Sequence, residues 1–107
     1  MSSKPILERL EQVIASRCGG DPETSYVARL NAGGVEKIAQ KLGEEAVEAI
    51  IAALGQDREA LVGEAADLLF HLLVLLGHKD IELAEVLAEL DRRQGISGIA
   101  EKASRKS

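Results

Sequence analysis

The sequence contains few aromatic residues: Tyr26, Phe70 and no tryptophan make up 2% of its 107 residues. Proteins that bind single-stranded nucleic acid stack bases on aromatic side chains, so we expect no nucleic-acid partner and an aliphatic core. Cys18 is the single cysteine, which excludes an intramolecular disulfide and leaves no cysteine cluster for zinc. The N-terminus has no apolar stretch typical of a signal peptide, and we therefore expect a cytoplasmic protein.

The sequence also has fewer basic than acidic residues: 13 Lys and Arg against 18 Asp and Glu, which gives a net charge of −5. This is the wrong sign for a protein that binds a phosphate backbone without specificity. The length corresponds to one domain, which we expect to span residues 1–107. Its 46% hydrophobic and 29% charged residues are typical of a folded globular protein. The position of the surplus negative charge is the main clue to function.

A long membrane-spanning run is missing as well. The apolar run from Leu68 to Leu76 is interrupted only by His71 and is far shorter than the roughly 20 residues that a span needs, so we expect no membrane partner. A helix that is apolar nearly all round is buried on several sides, and so small a chain has few helices to cover it. A second copy is expected to do so, which predicts a homodimer.

Helical periodicity runs through most of the chain, and no segment alternates apolar and polar residues as a half-buried strand does. The predicted fold class is therefore all-α, with four to five helices in a bundle that homodimerisation completes. The expected helices cover residues 6–17, 21–30, 35–54, 60–76 and 80–94, with a mixed, basic tail after them that adds a turn or two. Asp21, Asp57 and Asp80 are the expected N-caps, and residues 31–34 are expected to separate the second helix from the third.

One face of the helix predicted over residues 35–54 is charged, because its charged side chains recur three or four residues apart. They are Lys37, Lys41, Glu44, Glu45 and Glu48. The opposite arc is apolar and is the predicted core face; it comprises Val35, Ile38, Ala39, Leu42, Ala46, Ala49, Ile50 and Ala53. Charged stripes are usually solvated surfaces, in which an opposite-charge pair contributes about 0.3–0.5 kcal/mol.

The polar residues of the next predicted helix favour a metal site over a solvated surface. Its three polar side chains between residues 60 and 76, Glu64, Asp67 and His71, share one face among Ala, Gly, Val, Leu and Phe. A buried carboxylate is costly unless a cation compensates it, and a short connection makes this helix the antiparallel neighbour of the previous acidic one. A buried Lys or Arg is the structural alternative to a metal. Mg²⁺ fits best because it prefers oxygen ligands, whereas we expect His71 to be a core histidine that holds Asp67.

The spacing Glu45-x-x-Glu48 followed by Glu64-x-x-Asp67 resembles the signature of the all-α NTP pyrophosphatase superfamily, which includes MazG-like enzymes and dimeric dUTPases. The segments around these acids are more specific. Residues 25–30, 34–48, 63–76 and 97–105 resemble the phosphoribosyl-ATP pyrophosphatase family, so the resemblance covers nearly the whole chain. It implies an all-α homodimer that uses Mg²⁺ to hydrolyse 1-(5-phosphoribosyl)-ATP to 1-(5-phosphoribosyl)-AMP and pyrophosphate, the second step of histidine biosynthesis.

The resemblance also implies roles for individual residues. The implied metal ligands are Glu45, Glu48, Glu64 and Asp67. Glu44 shares their face and is our candidate for orienting or deprotonating the attacking water. Lys37 and Lys41 precede the acids by one to two turns and are expected to contact the substrate phosphates, as are Lys102 and Arg105 in the tail.

Two other functions stay open at this point. A MazG-like house-cleaning enzyme that hydrolyses canonical or damaged nucleoside triphosphates would carry the same four acids. A helical dimerisation module with a solvated acidic face would need no metal at all. Substrate preference separates the first from the leading hypothesis, and the response to Mg²⁺ separates the second.

Overall fold

The computed structural model describes residues 5–94, and within them every regular element is helical. The four helices are α1 (Ile6–Arg17), α2 (Tyr26–Gly55), α3 (Arg58–His78) and α4 (Leu83–Arg93). The all-α prediction is confirmed. The expected tail helix, with Lys102 and Arg105, lies outside the described residues.

The second helix begins later than predicted. Its N-cap is Ser25, whose side-chain oxygen accepts a 3.2 Å hydrogen bond from the backbone N–H of Ala28. The carboxylate of Asp21 instead accepts a 2.9 Å hydrogen bond from the N–H of Glu23, closing a turn before the helix. The prediction that Asp21 caps this helix is wrong because its carboxylate serves a local turn, an equally common use of Asp.

Residues 31–34 were expected to separate two helices, but the chain stays helical there apart from a kink. The kink lies at Gly34, whose φ of 87° and ψ of 176° are not helical. Essentially only glycine adopts this combination, because a Cβ atom would clash with the backbone. The expected break is therefore a single residue, which joins a short first part of α2 to the part that carries the acidic residues.

Of the two N-caps predicted for the last two helices, one is confirmed and one is wrong. Asp57 caps α3, since its Oδ1 accepts a 2.9 Å hydrogen bond from the N–H of Ala60. Asp80 does not cap α4; it has a φ of 58°, and Glu82 forms a capping box with Glu85 instead. The expectation failed because glutamate is an uncommon N-cap residue. A carboxylate oxygen of Glu11 on α1 also accepts a 2.7 Å hydrogen bond from the N–H of Leu83.

The core lies where α1, both parts of α2, the C-terminal half of α3 and the start of α4 meet. Its buried members are Ile14, Val27, Leu30, Ile38, Leu73, Val74 and Leu83. The predicted core arc of α2 is only partly right: Ile38 is buried, whereas Ala39, Ala53 and Ile50, the last of them 58% exposed, are not. The rest of that arc is half-buried.

The side of α2 that contacts α3 is rotated from the predicted arc and includes an acid. Ile38, Glu45 and Ala52 are buried or half-buried and lie seven residues apart, which is two helical turns. Glu64 is half-buried on the facing side of α3. The α2–α3 contact therefore has an apolar residue on either side of a carboxylate in its middle.

By length and composition alone, α3 is able to cross a membrane. The core helices of soluble proteins share these properties, and α3 packs against both α1 and α2. It also carries Glu64 and Asp67, whose charges would be costly in a lipid bilayer. The apolar character of α3 is therefore weak evidence for a membrane span.

Candidate metal centre

The candidate site lies between α2 and α3, which the two residues Gln56 and Asp57 connect. This short connection turns α3 back along α2, so the acidic faces of the two helices meet as the sequence predicted. One carboxylate oxygen from each of Glu45, Glu48 and Glu64 lies within 4.8 Å of the other two. We call these three residues the acidic trio.

Two oxygens of the acidic trio are buried without a hydrogen-bond partner. They are Oε2 of Glu45 and Oε1 of Glu64. A buried polar atom that lacks a partner costs about 1–3 kcal/mol, and more when it is charged. Neither a Lys nor an Arg among the described residues pairs with these two atoms, which disfavours the buried ion pair that the sequence left open.

The electrostatics of Glu45 agree with this geometry. Burial raises the pKa of Glu45, and the charges of Glu48, Asp67 and Glu64 raise it further. A carboxylate that is desolvated among other carboxylates is a good ligand for a cation, because the cation removes both penalties.

The fourth predicted ligand, Asp67, lies next to the acidic trio but not within it. Its carboxylate is exposed, and it is close enough to Glu45 to raise the pKa of that residue. The structure thus brings three of the four predicted ligands together and leaves Asp67 at the edge. Its role as a ligand stays a prediction.

Glu44 lies on the exposed flank of the acidic trio and is already hydrogen bonded. Its Oε2 accepts a 3.0 Å hydrogen bond from Nε2 of Gln40, and its Oε1 lies 3.4 Å from Nζ of Lys41. These two bonds, with smaller help from Lys37, hold the pKa of Glu44 below its usual value. A carboxylate with a lowered pKa is a weak proton acceptor, so this geometry favours the orienting role over deprotonation of the water.

Lys41 and Lys37 therefore both lie on the side of the site where Glu44 is found. The hydrogen bond to Glu44 raises the pKa of Lys41, which keeps its ammonium group charged. Lys37 is exposed one turn earlier on α2. Cations beside a group of oxygen ligands are suited to bind phosphate oxygens, and this role of the two lysines stays a prediction.

His71 is buried, with 5% of its surface exposed, and both ring nitrogens are hydrogen bonded. Its Nδ1 lies 2.7 Å from the backbone oxygen of Asp67, and its Nε2 lies 2.8 Å from the hydroxyl of Tyr26. Because a carbonyl oxygen only accepts, Nδ1 carries the proton, and the Tyr26 hydroxyl donates to Nε2. His71 thus holds the backbone of Asp67, whereas the sequence predicted that it holds Asp67 without specifying the atom.

Tyr26 is the residue near this site that sequence reasoning missed. Burial raises the pKa of its hydroxyl, and the charges of Lys41, Glu45 and Asp67 also act on it, so it lies within electrostatic range of the acids. Its position just after the N-cap of α2 gave no signal, because it is 45 residues from His71 in the sequence. Only the fold brings the two together.

An all-oxygen group of this kind suits Mg²⁺, which binds one or a few carboxylates and keeps several waters or substrate oxygens. The acidic trio fits that ion better than zinc, since no cysteine is nearby and His71 has both nitrogens engaged. If substrate phosphates also bind the ion, the site is suited to hydrolysis of a phosphoanhydride.

Comparison with known proteins agrees with this chemistry. Residues 7–94 match the phosphoribosyl-ATP pyrophosphohydrolase family. A phosphoribosyl-ATP pyrophosphatase of Novosphingobium aromaticivorans is 67% identical over 105 residues, covering 98% of each chain. Proteins of the same name from Rhizorhabdus wittichii, 64% identical over 92% of this chain and 93% of the relative, and Dinoroseobacter shibae, 63% identical over 94% and 98%, are also similar. The chain therefore belongs to the phosphoribosyl-ATP pyrophosphohydrolase family.

Proposed function

We propose that this protein hydrolyses 1-(5-phosphoribosyl)-ATP to 1-(5-phosphoribosyl)-AMP and pyrophosphate in a Mg²⁺-dependent reaction. The observation that carries the proposal is the acidic trio with its two unpartnered buried oxygens, in a chain of a family whose members are named for this activity. The reaction is the second step of histidine biosynthesis, and we place it in the cytoplasm.

Glu45, Glu48 and Glu64 would hold the metal, with Asp67 completing the set from the edge of the site. When bound, Mg²⁺ supplies a Lewis acid that neutralises charge on the phosphate oxygens. Lys41 and Lys37 bind the phosphates from the exposed flank. Glu44, held by Gln40 and Lys41, orients the attacking water toward the α–β phosphoanhydride bond.

The decisive experiment measures pyrophosphate release from phosphoribosyl-ATP and from a panel of canonical and damaged nucleoside triphosphates, each with Mg²⁺ and with a chelator. We expect the highest kcat/KM for phosphoribosyl-ATP and no activity with chelator. Faster turnover of any ordinary triphosphate would favour a MazG-like house-cleaning enzyme. Full activity in chelator would remove the metal from the mechanism.

We also propose that the working form is a homodimer. An apolar face remains exposed on α2; it consists of Val47, Ile50, Ile51 and Leu54, which share one side of the helix by their spacing. It lies opposite the side that contacts α3, and Leu54 alone is 84% exposed. Leu61, Val62 and Leu69 are exposed on α3 as well. Large exposed apolar patches are rare in monomeric proteins, so a second copy is the expected cover.

Sedimentation of an Ile50→Asp variant tests the dimer. A charge at the centre of this apolar face should shift the protein to monomers, because an unpaired buried charge is costly in an interface. Ile6→Asp is the matched control, since Ile6 is 65% exposed on α1 and lies outside the apolar face. A dimer that survives the substitution at Ile50 would place the interface elsewhere.

A further inference from the structure

The only two aromatic residues of the chain lie together at the edge of a cavity. The rings of Tyr26 and Phe70 are stacked, with centroids 6.0 Å apart and an interplanar angle of 20°. Both line a cavity of about 610 Å³ between α1, the turn before α2 and α3. We call it the aromatic cavity; among its lining residues are Leu10, Val13, Arg17, Thr24, Tyr26 and Phe70.

The volume and the lining of the aromatic cavity suit a nucleoside. Small-molecule sites have volumes of about 300–1,000 Å³ and combine apolar walls with a few polar groups. Here Leu10 and Val13 supply the apolar wall, and Tyr26 is 42% exposed, so part of its ring is free to contact a ligand. Flat aromatic rings are the surfaces on which nucleobases stack.

Tyr26 connects this cavity to the candidate metal centre. Its hydroxyl donates to His71, and His71 in turn donates to the backbone oxygen of Asp67, so two hydrogen bonds separate the aromatic cavity from a predicted metal ligand. These bonds fix the position of the Tyr26 ring. A nucleotide with its phosphates at the acidic trio would extend its base past Tyr26 into the cavity.

Arg17 is the one cation among the described residues that line the aromatic cavity, and it lies in the last turn of α1. Arg17 is separate from the cations near the acids, because the charges that lower the pKa of Glu44 are those of Lys41 and Lys37. The proposed substrate has phosphate at both ends, with a triphosphate on one ribose and a monophosphate on a second ribose that is bonded to the purine. A guanidinium group binds phosphate oxygens in a bidentate manner.

We infer that the aromatic cavity binds the purine of the substrate, with Tyr26 and Phe70 against the base and Arg17 on the monophosphate of the second ribose. This inference rests on the proposed function and names the groups that distinguish phosphoribosyl-ATP from ATP. Arg17 is a specificity residue, and it acts at the opposite end of the substrate from the bond that is broken.

Direct binding tests this without catalysis or metal. Isothermal titration in chelator compares phosphoribosyl-AMP with AMP, which lacks the second ribose and its phosphate. Arg17→Ala should weaken phosphoribosyl-AMP binding by about tenfold or more, the loss typical of a charge-assisted hydrogen bond, and leave AMP binding unchanged. Arg9→Ala, an exposed arginine on the same helix but outside the cavity lining, is the matched control.

A second variant fills the cavity. Val13→Trp should weaken both ligands because the indole occupies the space of the purine, whereas Ile6→Trp, on an exposed residue outside the lining, should weaken neither. Circular dichroism checks that each variant is folded. If Val13→Trp does not fold, the Arg17→Ala variant alone decides the question.

The outcomes separate this inference from the proposed function. Wild-type protein that releases no pyrophosphate from phosphoribosyl-ATP contradicts the proposed function. If the wild-type protein is active but Arg17→Ala binds phosphoribosyl-AMP as tightly as wild type does, only the inference is contradicted. An equal loss of affinity for phosphoribosyl-AMP and AMP also contradicts it, because Arg17 would then contact the α-phosphate. A changed oligomeric state with unchanged binding would assign the cavity to a second copy and overturn the inference.

Discussion

A carboxylate oxygen of Glu45 on α2 and one of Glu64 on α3 lie within 4.8 Å of each other. Each residue also has a buried oxygen that no donor of the described residues satisfies. Two like charges at this distance in a poorly solvated place destabilise the fold unless a cation lies between them. If Mg²⁺ binds as proposed, this pair would link the stability of the helix packing to metal binding.

Mg²⁺ is expected to raise the melting temperature of the protein in the absence of substrate. An ion that binds only the folded state stabilises it by about 2.7 kcal/mol at 100 times its dissociation constant. Glu64→Gln should abolish most of this rise, whereas Glu36→Gln, an exposed acid on α2 outside the acidic trio, should retain it. Scanning calorimetry with and without Mg²⁺ measures both. An identical response in the two variants would favour the dimerisation module with a solvated acidic face.

Glu45→Gln should stabilise the metal-free protein at neutral pH. The folded-state pKa of Glu45 is raised, so its ionised form is less favourable in the folded than in the unfolded chain. The penalty is absent below the ordinary pKa of Glu, grows as pH rises from that value to the raised one, and is constant above it. Urea unfolding in chelator at neutral and at acidic pH should give a difference between variant and wild type that disappears in acid. A less stable variant at neutral pH would contradict this.

Lys41→Met should reduce kcat/KM for phosphoribosyl-ATP by about tenfold or more, the loss expected for one charge-assisted contact to phosphate. The methionine retains the aliphatic length of the lysine, so packing changes little. Lys79→Met, an exposed lysine after α3, is the matched control and should keep wild-type kinetics. Steady-state assays at saturating Mg²⁺ measure the effect. Unchanged kinetics would remove Lys41 from the phosphate site.

Gly34→Ala should destabilise the protein by about 1–3 kcal/mol, the usual strain of a side chain in a backbone region that is reserved for glycine. Gly34 has a φ of 87°, and a Cβ there is strained whatever space surrounds it. Gly43→Ala is the matched control, because its added Cβ would meet no described atom within 4 Å apart from the nearby backbone of its own helix. Urea denaturation of both variants provides the comparison. Equal stability of the two would show that the kink relaxes without strain.

The sequence predicted the helical class and the clustering of three acids because both depend on local spacing. Glu45, Glu48 and Glu64 were placed together by helical periodicity and a short connection, and the structure agrees. Sequence periodicity did not predict which side of α2 contacts α3, since apolar residues lie on more than one side of this helix. The exposed Ile50 was expected in the core for that reason.

Sequence periodicity does not predict contacts between residues that are far apart in the chain. Tyr26 and His71 are 45 residues apart, and their hydrogen bond depends on how α2 bends at Gly34 and packs on α3. The bond from the N–H of Leu83 to Glu11 spans 72 residues and compensates for the weak N-cap position of Glu82. In both cases a polar group found its partner through tertiary packing.

The hydrogen bond from Tyr26 to His71 also gives the protein a built-in spectroscopic reporter. The chain has one tyrosine and no tryptophan, so its near-ultraviolet absorbance and emission come almost entirely from this one ring. The phenol is bonded to an imidazole nitrogen and lines the aromatic cavity. A ligand that enters there, or any movement of α3 relative to the start of α2, changes the surroundings of the only strong chromophore. Events at this position are therefore visible in unlabelled protein.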